Sequence, residues 1–253
     1  MKVSVLSSGS KGNCTYIETK NHKILIDIGT SSLYVEKSLN SIGVNPKDID
    51  IILITHAHID HVNGLRVFTK KYNPQVYISD KILKESNLRI ENISNEENIL
   101  IESDIKIRSI KLSHDVTDIK GYVIEEDTDS MVYITDTGYI NENNFEYIKN
   151  KNLYVFESNH DVEKLMNNPK YPHNTKIRIL SDKGHLSNKD SAYYLSKLIG
   201  NNTHYIILAH LSEKNNTEEL ALSTIKETFE RKNIYFQNIL VARQNEMTEL
   251  MEV

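Results

Sequence analysis

The chain has 253 residues, of which 39% are hydrophobic and 26% charged, and its formal net charge is −5 at pH 7. This is the ordinary balance of a soluble globular protein, no apolar run approaches the length of a membrane span, and the net charge does not indicate a nucleic-acid binder. The N-terminal apolar stretch is too short for the core of a signal peptide, and the single cysteine, Cys14, excludes an internal disulfide. We therefore expect a cytoplasmic protein that does not associate with membranes.

The first third of the chain is predicted to contain mostly strands. The runs KVSVL, CTYIET and KILIDIG are β-rich and are separated by turn residues. An amphipathic helix is predicted in SSLYVEKSLNSIG, which ends at Gly43. The near-continuous apolar run IDIILIT predicts a strand covered on both faces. VNGLRVFTKKY then predicts a helix, and QVYIS another strand.

The middle of the chain is again β-rich, whereas strands and helices alternate in the last third. Strands are predicted in IKIRSIKLS, KGYVIEE and SMVYITD, and afterwards in LYVFES, HYIILAH and NILVA. Helices are predicted in KDSAYYLSKLIG and TEELALSTIKETFERK. Ser187 with Asp190 three residues later resembles a capping box, and Gly200 is expected to close the first of these helices.

This order of elements predicts a single domain that spans residues 1–253. The sequence contains no repeat of fixed period and no segment with the composition of a linker. Strand clusters with βα units in both halves favour an α/β fold in which two packed sheets carry helices on their outer faces, a four-layer αββα sandwich. A barrel of eight βα units fits less well, because residues 1–28 and 99–136 lack helices between successive strands.

A cluster of titratable residues follows the predicted strand IDIILIT. The stretch ILITHAHIDHVNG contains His56, His58, Asp60 and His61, and imidazole with carboxylate is the ordinary ligand set for zinc and related divalent ions. His56 and His58 are two residues apart, so in an extended chain they point to the same side. Asp60 and His61 fall where the chain should turn into a helix. One short loop can therefore supply two adjacent metal positions.

Three further residues of metal-ligand type occur where a β-rich run ends. His114 follows IRSIKLS, Asp136 follows MVYIT, and His210 follows YIILA. A lone histidine is more often structural than ligating, but three such residues at strand ends favour additional ligands for a site with two metal ions.

These residues resemble the metallo-β-lactamase fold family of binuclear metallohydrolases, whose H-x-H-x-D-H signature corresponds to residues 56–61. The resemblance covers nearly the whole chain and implies two divalent ions, zinc or manganese, with iron as a third candidate. It implies that His56, His58 and His114 bind one ion and that Asp60, His61 and His210 bind the other. It also implies that Asp136 bridges the two ions and that Asp27 supports the ligand loop.

Finer motifs resemble one subfamily, the YycJ/WalJ-like proteins. They are SSGSKGNC near the start, ESNHD at 157–161, SDKGHLSN at 181–188 and LAHLSEKNN at 208–216. That subfamily is regarded as DNA-processing, with 5′→3′ exonuclease activity, and is close in design to ribonucleases Z and J. The resemblance implies a nucleic-acid substrate, with DNA favoured over RNA, and indicates no obligate protein partner.

For a phosphodiester substrate, the resemblance implies a hydroxide shared by the two ions that attacks phosphorus in line. Asp60 is placed both to bind metal and to orient the nucleophile. His185 lies just before the predicted N-cap Ser187, where phosphate is favoured, and we interpret it as general acid or phosphate clamp. Lys183 adds positive charge to that loop, and His160 is a further candidate for substrate contact. The alternative for His185 is an ordinary surface histidine.

The substrate class depends on less specific signals. Residues 164–189 contain six Lys or Arg and one Asp, which favours phosphodiesters, although chance clustering on a solvated surface has the same appearance. The main alternative is a small-molecule hydrolase on the same fold: a thioesterase, a lactonase or a cyclic phosphodiesterase.

A di-iron redox protein fits less well, because position 58 is His and the chain has no room for a flavin domain. A non-catalytic scaffold would be expected to lack a ligand, and none is missing. Polymerase-associated phosphoesterases normally carry H-x-H on their first strand, whereas several strands precede residue 56 here.

Overall fold

The computed structural model describes residues 1–94, 100–101 and 105–253. Its strands, in chain order, are β1 (Lys2–Ser7), β2 (Cys14–Glu18), β3 (Lys23–Ile26), β4 (Ile51–Leu53), β5 (Gln75–Tyr77), β6 (Ile93–Ser94), β7 (Leu100–Ile101), β8 (Ile105–Lys111), β9 (Lys120–Glu126), β10 (Asp129–Ile134), β11 (Leu153–Glu157), β12 (Tyr205–Ala209), β13 (Ile239–Val241) and β14 (Met251–Glu252). Its helices are α1 (Ser32–Ser41), α2 (Ile59–Val62), α3 (Leu65–Tyr72), α4 (Asp80–Ser86), α5 (Phe145–Ile148), α6 (Val162–Asn167), α7 (His173–Leu180), α8 (Asn188–Leu198) and α9 (Glu218–Arg231).

The strands form two mixed sheets, each of seven strands among the described residues. The first sheet has the order β14-β1-β2-β3-β4-β5-β6 and the second β13-β12-β11-β10-β9-β8-β7. Strands joined by short turns pair antiparallel, as β1 with β2 and β8 with β9. Strands separated by helices pair parallel, as β3 with β4 and β11 with β12. This is the outcome that connection length dictates, since a parallel pair needs a crossover.

The predicted four-layer αββα sandwich is confirmed by the packing of consecutive residues on single strands. Ile24 of β3 and Val155 of β11 belong to one buried cluster between the two sheets. Their neighbours Leu25 and Phe156 point to the opposite faces. Leu25 packs in the cluster that includes Leu39 of α1, and Phe156 in the cluster that includes residues of α8 and α9. Each sheet therefore has one face towards the other sheet and one face towards helices.

Every strand and helix predicted above is present, and several unpredicted elements occur beside them. The N-terminus of α8 has the predicted cap, because the Ser187 hydroxyl accepts a hydrogen bond of 3.1 Å from the Asp190 backbone N–H. Helices α4, α5, α6 and α7 and the short strands β6, β7 and β14 were not predicted. In the described part of the chain, no helix combines the length and the apolar character that crossing a membrane would require.

Sharp turns at the ends of three strands prepare the functional site. Asp27 directly follows β3, Asp136 follows β10 by one residue, and His210 directly follows β12. All three have positive φ angles, of 59°, 59° and 56°. Non-glycine residues adopt this left-handed conformation rarely and at a cost of about 1–3 kcal/mol, and they concentrate at functional sites. The chain thus turns abruptly at each of these positions.

Candidate metal centre

The histidine-rich loop forms a compact ring cluster at the end of β4. The ring of His56 lies 4.8 Å from that of His58 and 4.0 Å from that of His61, measured between centroids. His58 is the N-cap of the short helix α2, and Asp60 and His61 lie within it, so the chain turns into a helix where the sequence predicted it. Close backbone packing holds the loop, since a Cβ atom at Gly29 would lie 1.6 Å from the backbone oxygen of Asp60.

The seven predicted ligands come together in three overlapping groups. In each group the candidate ligand atoms all lie within 4.8 Å of one another. The groups are His56, His58 and His114; Asp60, His61 and His210; and His56, His61 and Asp136. The first two groups match the two expected metal positions, and the third connects them through Asp136, the expected bridge.

Asp27 orients the ligand loop from within the protein. Its completely buried carboxylate accepts hydrogen bonds from the Thr55 backbone N–H at 2.9 Å and the Thr55 hydroxyl at 2.8 Å, and lies 2.7 Å from Nδ1 of His61. Burial raises the pKa of Asp27 above its usual range, although His61 and Thr55 oppose this rise. An Nδ1–H donated to Asp27 leaves Nε2 of His61 as a lone pair facing the site, the arrangement typical of metal-binding histidines.

Buried atoms without hydrogen bonds provide a direct test of whether metal fits. Nε2 of His56, Oδ2 of Asp136 and Nε2 of His210 are buried and have no hydrogen-bond partner among the described residues. Buried polar atoms are nearly always hydrogen-bonded, and all three belong to predicted ligands. The nitrogen and carboxylate donors suit zinc, manganese or iron. The residues present therefore fit divalent ions at these positions.

Glu157 is a functional residue that the sequence analysis missed. It ends β11 and is completely buried, and its Oε1 lies 2.8 Å from Nδ1 of His185 and 3.1 Å from Nδ1 of His210. Burial alone would raise the pKa of Glu157, but the two histidines outweigh it and hold the pKa at about 2. The signal was available in the sequence, because Glu157 follows the apolar run LYVF just as the predicted ligands follow theirs.

The other predicted site residues occupy three different environments. His185 lies beside the metal-ligand cluster, with its ring centroid 4.9 Å from that of His114 and its side chain 19% exposed. Lys183 lines the cleft in front of that cluster. His160 is completely buried, its backbone bridges to Ser187, and it is not among the residues that line the cleft. A completely buried ring outside the cleft lining is not positioned for the predicted contact with substrate.

A cleft of about 240 Å³ is lined by five of the predicted ligands, His58, Asp60, His114, Asp136 and His210. The basic segment 164–189 contributes Tyr171, Thr175, Arg178 and Lys183 to the lining. Hydroxyl and amide groups come from Ser10, Asn159, Ser212 and Asn215. A cleft that combines candidate metal positions, cations and hydrogen-bonding groups can bind an anionic substrate and polarise it.

A metal-dependent hydrolase fold is what this architecture and ligand set define, and a comparison with known families agrees. A family model described as the metallo-beta-lactamase superfamily matches residues 8–152. The chain belongs to that superfamily.

Two relatives and one solved structure locate the chain within it. Exodeoxyribonuclease YycJ of Bacillus anthracis is 38% identical over 236 residues, which cover 90% of this chain and 89% of the relative. Exodeoxyribonuclease WalJ of Streptococcus pneumoniae serotype 2 is 38% identical over 233 residues, covering 88% and 86%. The crystal structure of YhfI from Bacillus subtilis, a metallo-beta-lactamase fold protein, matches with a TM-score of 0.71 at 15% identity over 98% of both chains. That level of identity shows the fold.

Proposed function

We propose that this protein is a metal-dependent exodeoxyribonuclease that cleaves DNA from the 5′ end. The observation that carries the proposal is the cleft that residues of the ligand cluster line together with Arg178 and Lys183. Relatives with exodeoxyribonuclease names align along about nine-tenths of the chain, which supports the substrate class. We assign residues 1–253 to one domain, since a buried cluster of described residues joins the two sheets. A cytoplasmic location is supported by the single cysteine of the chain.

Two divalent ions would be held by the residues grouped above, with manganese and zinc as the candidates. When bound, they would supply Lewis acidity towards phosphate oxygens and activate a water for attack. His56, His58 and His114 serve one position; Asp60, His61 and His210 serve the other; and Asp136 is shared. The partners behind these ligands fix their orientation: Thr55 for His56, Asp27 for His61, the Gly184 carbonyl for His114 and Glu157 for His210.

Asp60 has a second role as the group that orients the attacking water. Its Oδ2 lies 3.7 Å from Nε2 of both His61 and His210, and its side chain is 18% exposed and lines the cleft. Burial raises the pKa of Asp60, but His210 and His61 outweigh it and leave the pKa below its usual value. The carboxylate is therefore ionised at neutral pH, and it can accept a hydrogen bond from the attacking water while it contacts the metal position.

His185 and Glu157 form a pair suited to protonating the leaving oxygen. The His185 Nδ1–H donates to Glu157, which leaves Nε2 as the nitrogen available to substrate. The carboxylate accepts this hydrogen bond and fixes the orientation of the ring, as a group that donates a proton to substrate requires. A phosphate clamp would need only the positive charge, whereas the hydrogen-bonded carboxylate behind His185 favours general acid.

The cleft wall formed by the basic segment fits a nucleotide chain. Arg178 and Lys183 offer charge to the phosphate backbone, and the ring of Tyr171 offers a face on which a base can stack. We favour DNA over RNA because of the relatives' names. A thioesterase or lactonase would use the same metal ligands but would gain little from two cations and an aromatic ring on one wall.

The test uses purified protein reconstituted with Mn²⁺ or Zn²⁺. Substrates are double-stranded DNA, single-stranded DNA and RNA, each labelled in separate preparations at the 5′ or the 3′ end, beside a thioester and a lactone. We expect DNA cleavage that releases the 5′ label first as short products, and no cleavage after His56→Ala and Asp136→Ala are combined. Turnover of the thioester or lactone with intact DNA would overturn the proposal.

A further inference from the structure

Asp115 lies against the ligands of the first metal position although the resemblance gives it no role. Its Oδ1 is 3.2 Å from Nε2 of His114 and 3.7 Å from Nε2 of His58. The chain bends at residues 115–117, and this bend brings the side chains of two consecutive residues, His114 and Asp115, to the same point. Its other oxygen, Oδ2, lies 3.1 Å from Nη1 of Arg178 on α7. The carboxylate thus has an inner oxygen at the ligand cluster and an outer oxygen on the cleft wall.

The hydrogen bond on the far side of His114 decides what its Nε2 can do. Nδ1 of His114 lies 3.0 Å from the backbone oxygen of Gly184. A carbonyl oxygen only accepts, so Nδ1 carries the proton. A histidine that binds metal through Nε2 has no proton there. The Asp115 Oδ1 and the His114 Nε2 are then two lone-pair atoms that face each other at 3.2 Å, a contact that repels unless a cation binds both.

The same arrangement occurs between two residues already assigned as ligands. Nδ1 of His61 donates to Asp27, and Nε2 of His61 lies 3.2 Å from Oδ2 of Asp136. The amide of Asn13 also approaches this Nε2 at 3.0 Å, as expected for a nitrogen without a proton. His114 with Asp115 therefore reproduces, at the first metal position, the histidine–carboxylate geometry that His61 and Asp136 show at the shared position.

We propose that Asp115 is an additional protein ligand of the ion held by His56, His58 and His114, with Arg178 paired to its outer oxygen. The three histidines and the shared Asp136 would give this ion four protein ligands. A further oxygen ligand raises the coordination number and shifts preference towards ions that favour carboxylates and higher coordination, such as Mn²⁺. The inference rests on the metal centre of the proposed function and is independent of which substrate is cleaved.

The test measures metal binding in protein stripped of metal with a chelator. Wild type, Asp115→Asn and the control Asp182→Asn, a change at an exposed carboxylate outside the cleft lining, are titrated with Mn²⁺ and with Zn²⁺ by calorimetry. We expect Asp115→Asn to raise the Kd for Mn²⁺ at one site by at least about tenfold, with a smaller change for Zn²⁺, and Asp182→Asn to leave both values unchanged. The Co²⁺-loaded protein should gain visible absorption intensity in Asp115→Asn, because a four-coordinate Co²⁺ ion absorbs more strongly than a five-coordinate one.

Two results would overturn the assignment. If Asp115→Asn binds Mn²⁺ as tightly as wild type and its Co²⁺ spectrum is unchanged, Asp115 is not a ligand. If Asp115→Asn and Asp182→Asn weaken Mn²⁺ binding equally, the effect comes from the loss of one negative charge and Asp115 is not a ligand. Thermal unfolding of the metal-free variants controls for folding, and Asp115→Glu, which keeps a carboxylate, should retain more Mn²⁺ affinity than Asp115→Asn. None of these measurements requires DNA cleavage, so they would remain valid if the protein did not cleave DNA.

Discussion

Nδ1 of His185 donates a hydrogen bond of 2.8 Å to Oε1 of Glu157, and the same oxygen lies 3.1 Å from Nδ1 of the proposed metal ligand His210. One buried carboxylate therefore connects the residue proposed to protonate the leaving group with a residue proposed to hold metal. Its second oxygen accepts from the backbone N–H groups of Thr137 and Leu186. With each oxygen accepting two contacts, the orientation of Glu157 is fixed from both sides.

Glu157→Gln should reduce turnover of DNA through its effect on His185. The amide keeps the size of the side chain but replaces the charged acceptor of the His185 hydrogen bond with a weaker neutral one, so the ring is held less firmly and we expect kcat to fall by at least about tenfold. The measurement is a double-mutant cycle with His185→Ala. If Glu157 acts through His185, the double variant is no slower than His185→Ala alone. A further loss of the same size in the double variant would mean that Glu157 acts by another route, such as through His210.

Asp136→Ala should weaken both metal positions, because this carboxylate belongs to the group that joins them. We expect elemental analysis to find about two divalent ions in wild type and fewer than one in the variant after dialysis. Asp182→Ala, a change at an exposed aspartate outside the cleft, is the matched control and should keep both ions. A fully active wild type with a single ion would contradict the binuclear site.

Arg178→Gln combined with Lys183→Gln should weaken DNA binding and flatten its dependence on salt. Each phosphate contact contributes about −0.9 to the slope of log K against log salt for duplex DNA, so the slope should become shallower by about 2. The control is Lys170→Gln with Lys176→Gln, which removes equal charge from the same segment at positions outside the cleft lining. Equal effects of the two pairs would indicate a diffuse electrostatic surface instead of a defined path. Hydrolysis of a small diester should hardly change in either pair.

His160 should make the stability of the fold depend on pH. It is completely buried, neither ring nitrogen has a hydrogen-bond partner in the described part of the chain, and burial lowers its pKa to about 4. An unfolded histidine has a pKa of about 6.5, so between these values the unfolded state binds more protons. This residue therefore leaves the free energy of unfolding unaffected above pH 6.5. As pH falls towards 4, it lowers that free energy by about 3 kcal/mol at most.

His160→Leu should remove that part of the pH dependence. Urea unfolding of wild type and variant is measured with chelator present at several pH values from 4 to 7.5, so that the ligand histidines contribute equally to both proteins. We expect the difference in unfolding free energy to favour the variant progressively as pH falls. A difference that does not change with pH would mean that the ring titrates with the same pKa in the folded and unfolded states.

The grouping of the proposed ligands could be predicted from sequence because each follows a buried apolar run, and strand ends are where α/β folds place their chemistry. Glu157 has the same context but was missed, since its partners His185 and His210 lie 28 and 53 residues away and only tertiary structure brings them together. Helices α6 and α7 escaped prediction for a different reason. Leu165 is the one buried residue within α6 and Ile179 the one within α7, so the periodic apolar stripe on which helix prediction depends is missing.

His185→Ala distinguishes the general-acid role from both alternatives, because each predicts a different kinetic result. The side chain is partly exposed in the loop before α8 and is not among the assigned ligands, so we expect the fold and the bound metal to be retained. Turnover of DNA should fall by about 10²–10⁴, the usual range for losing a general acid. The loss should be much smaller on a nitrophenyl phosphodiester, whose departing oxygen hardly needs a proton.

A phosphate clamp would instead raise KM and leave kcat near its original value. The matched control is His173→Ala, which removes an exposed histidine from the first turn of α7, outside the cleft lining, and should change neither constant. If His185→Ala cleaves both substrates at the wild-type rate, His185 is neither acid nor clamp. The hydrogen bond to Glu157 would then serve only to orient His210 behind the metal position.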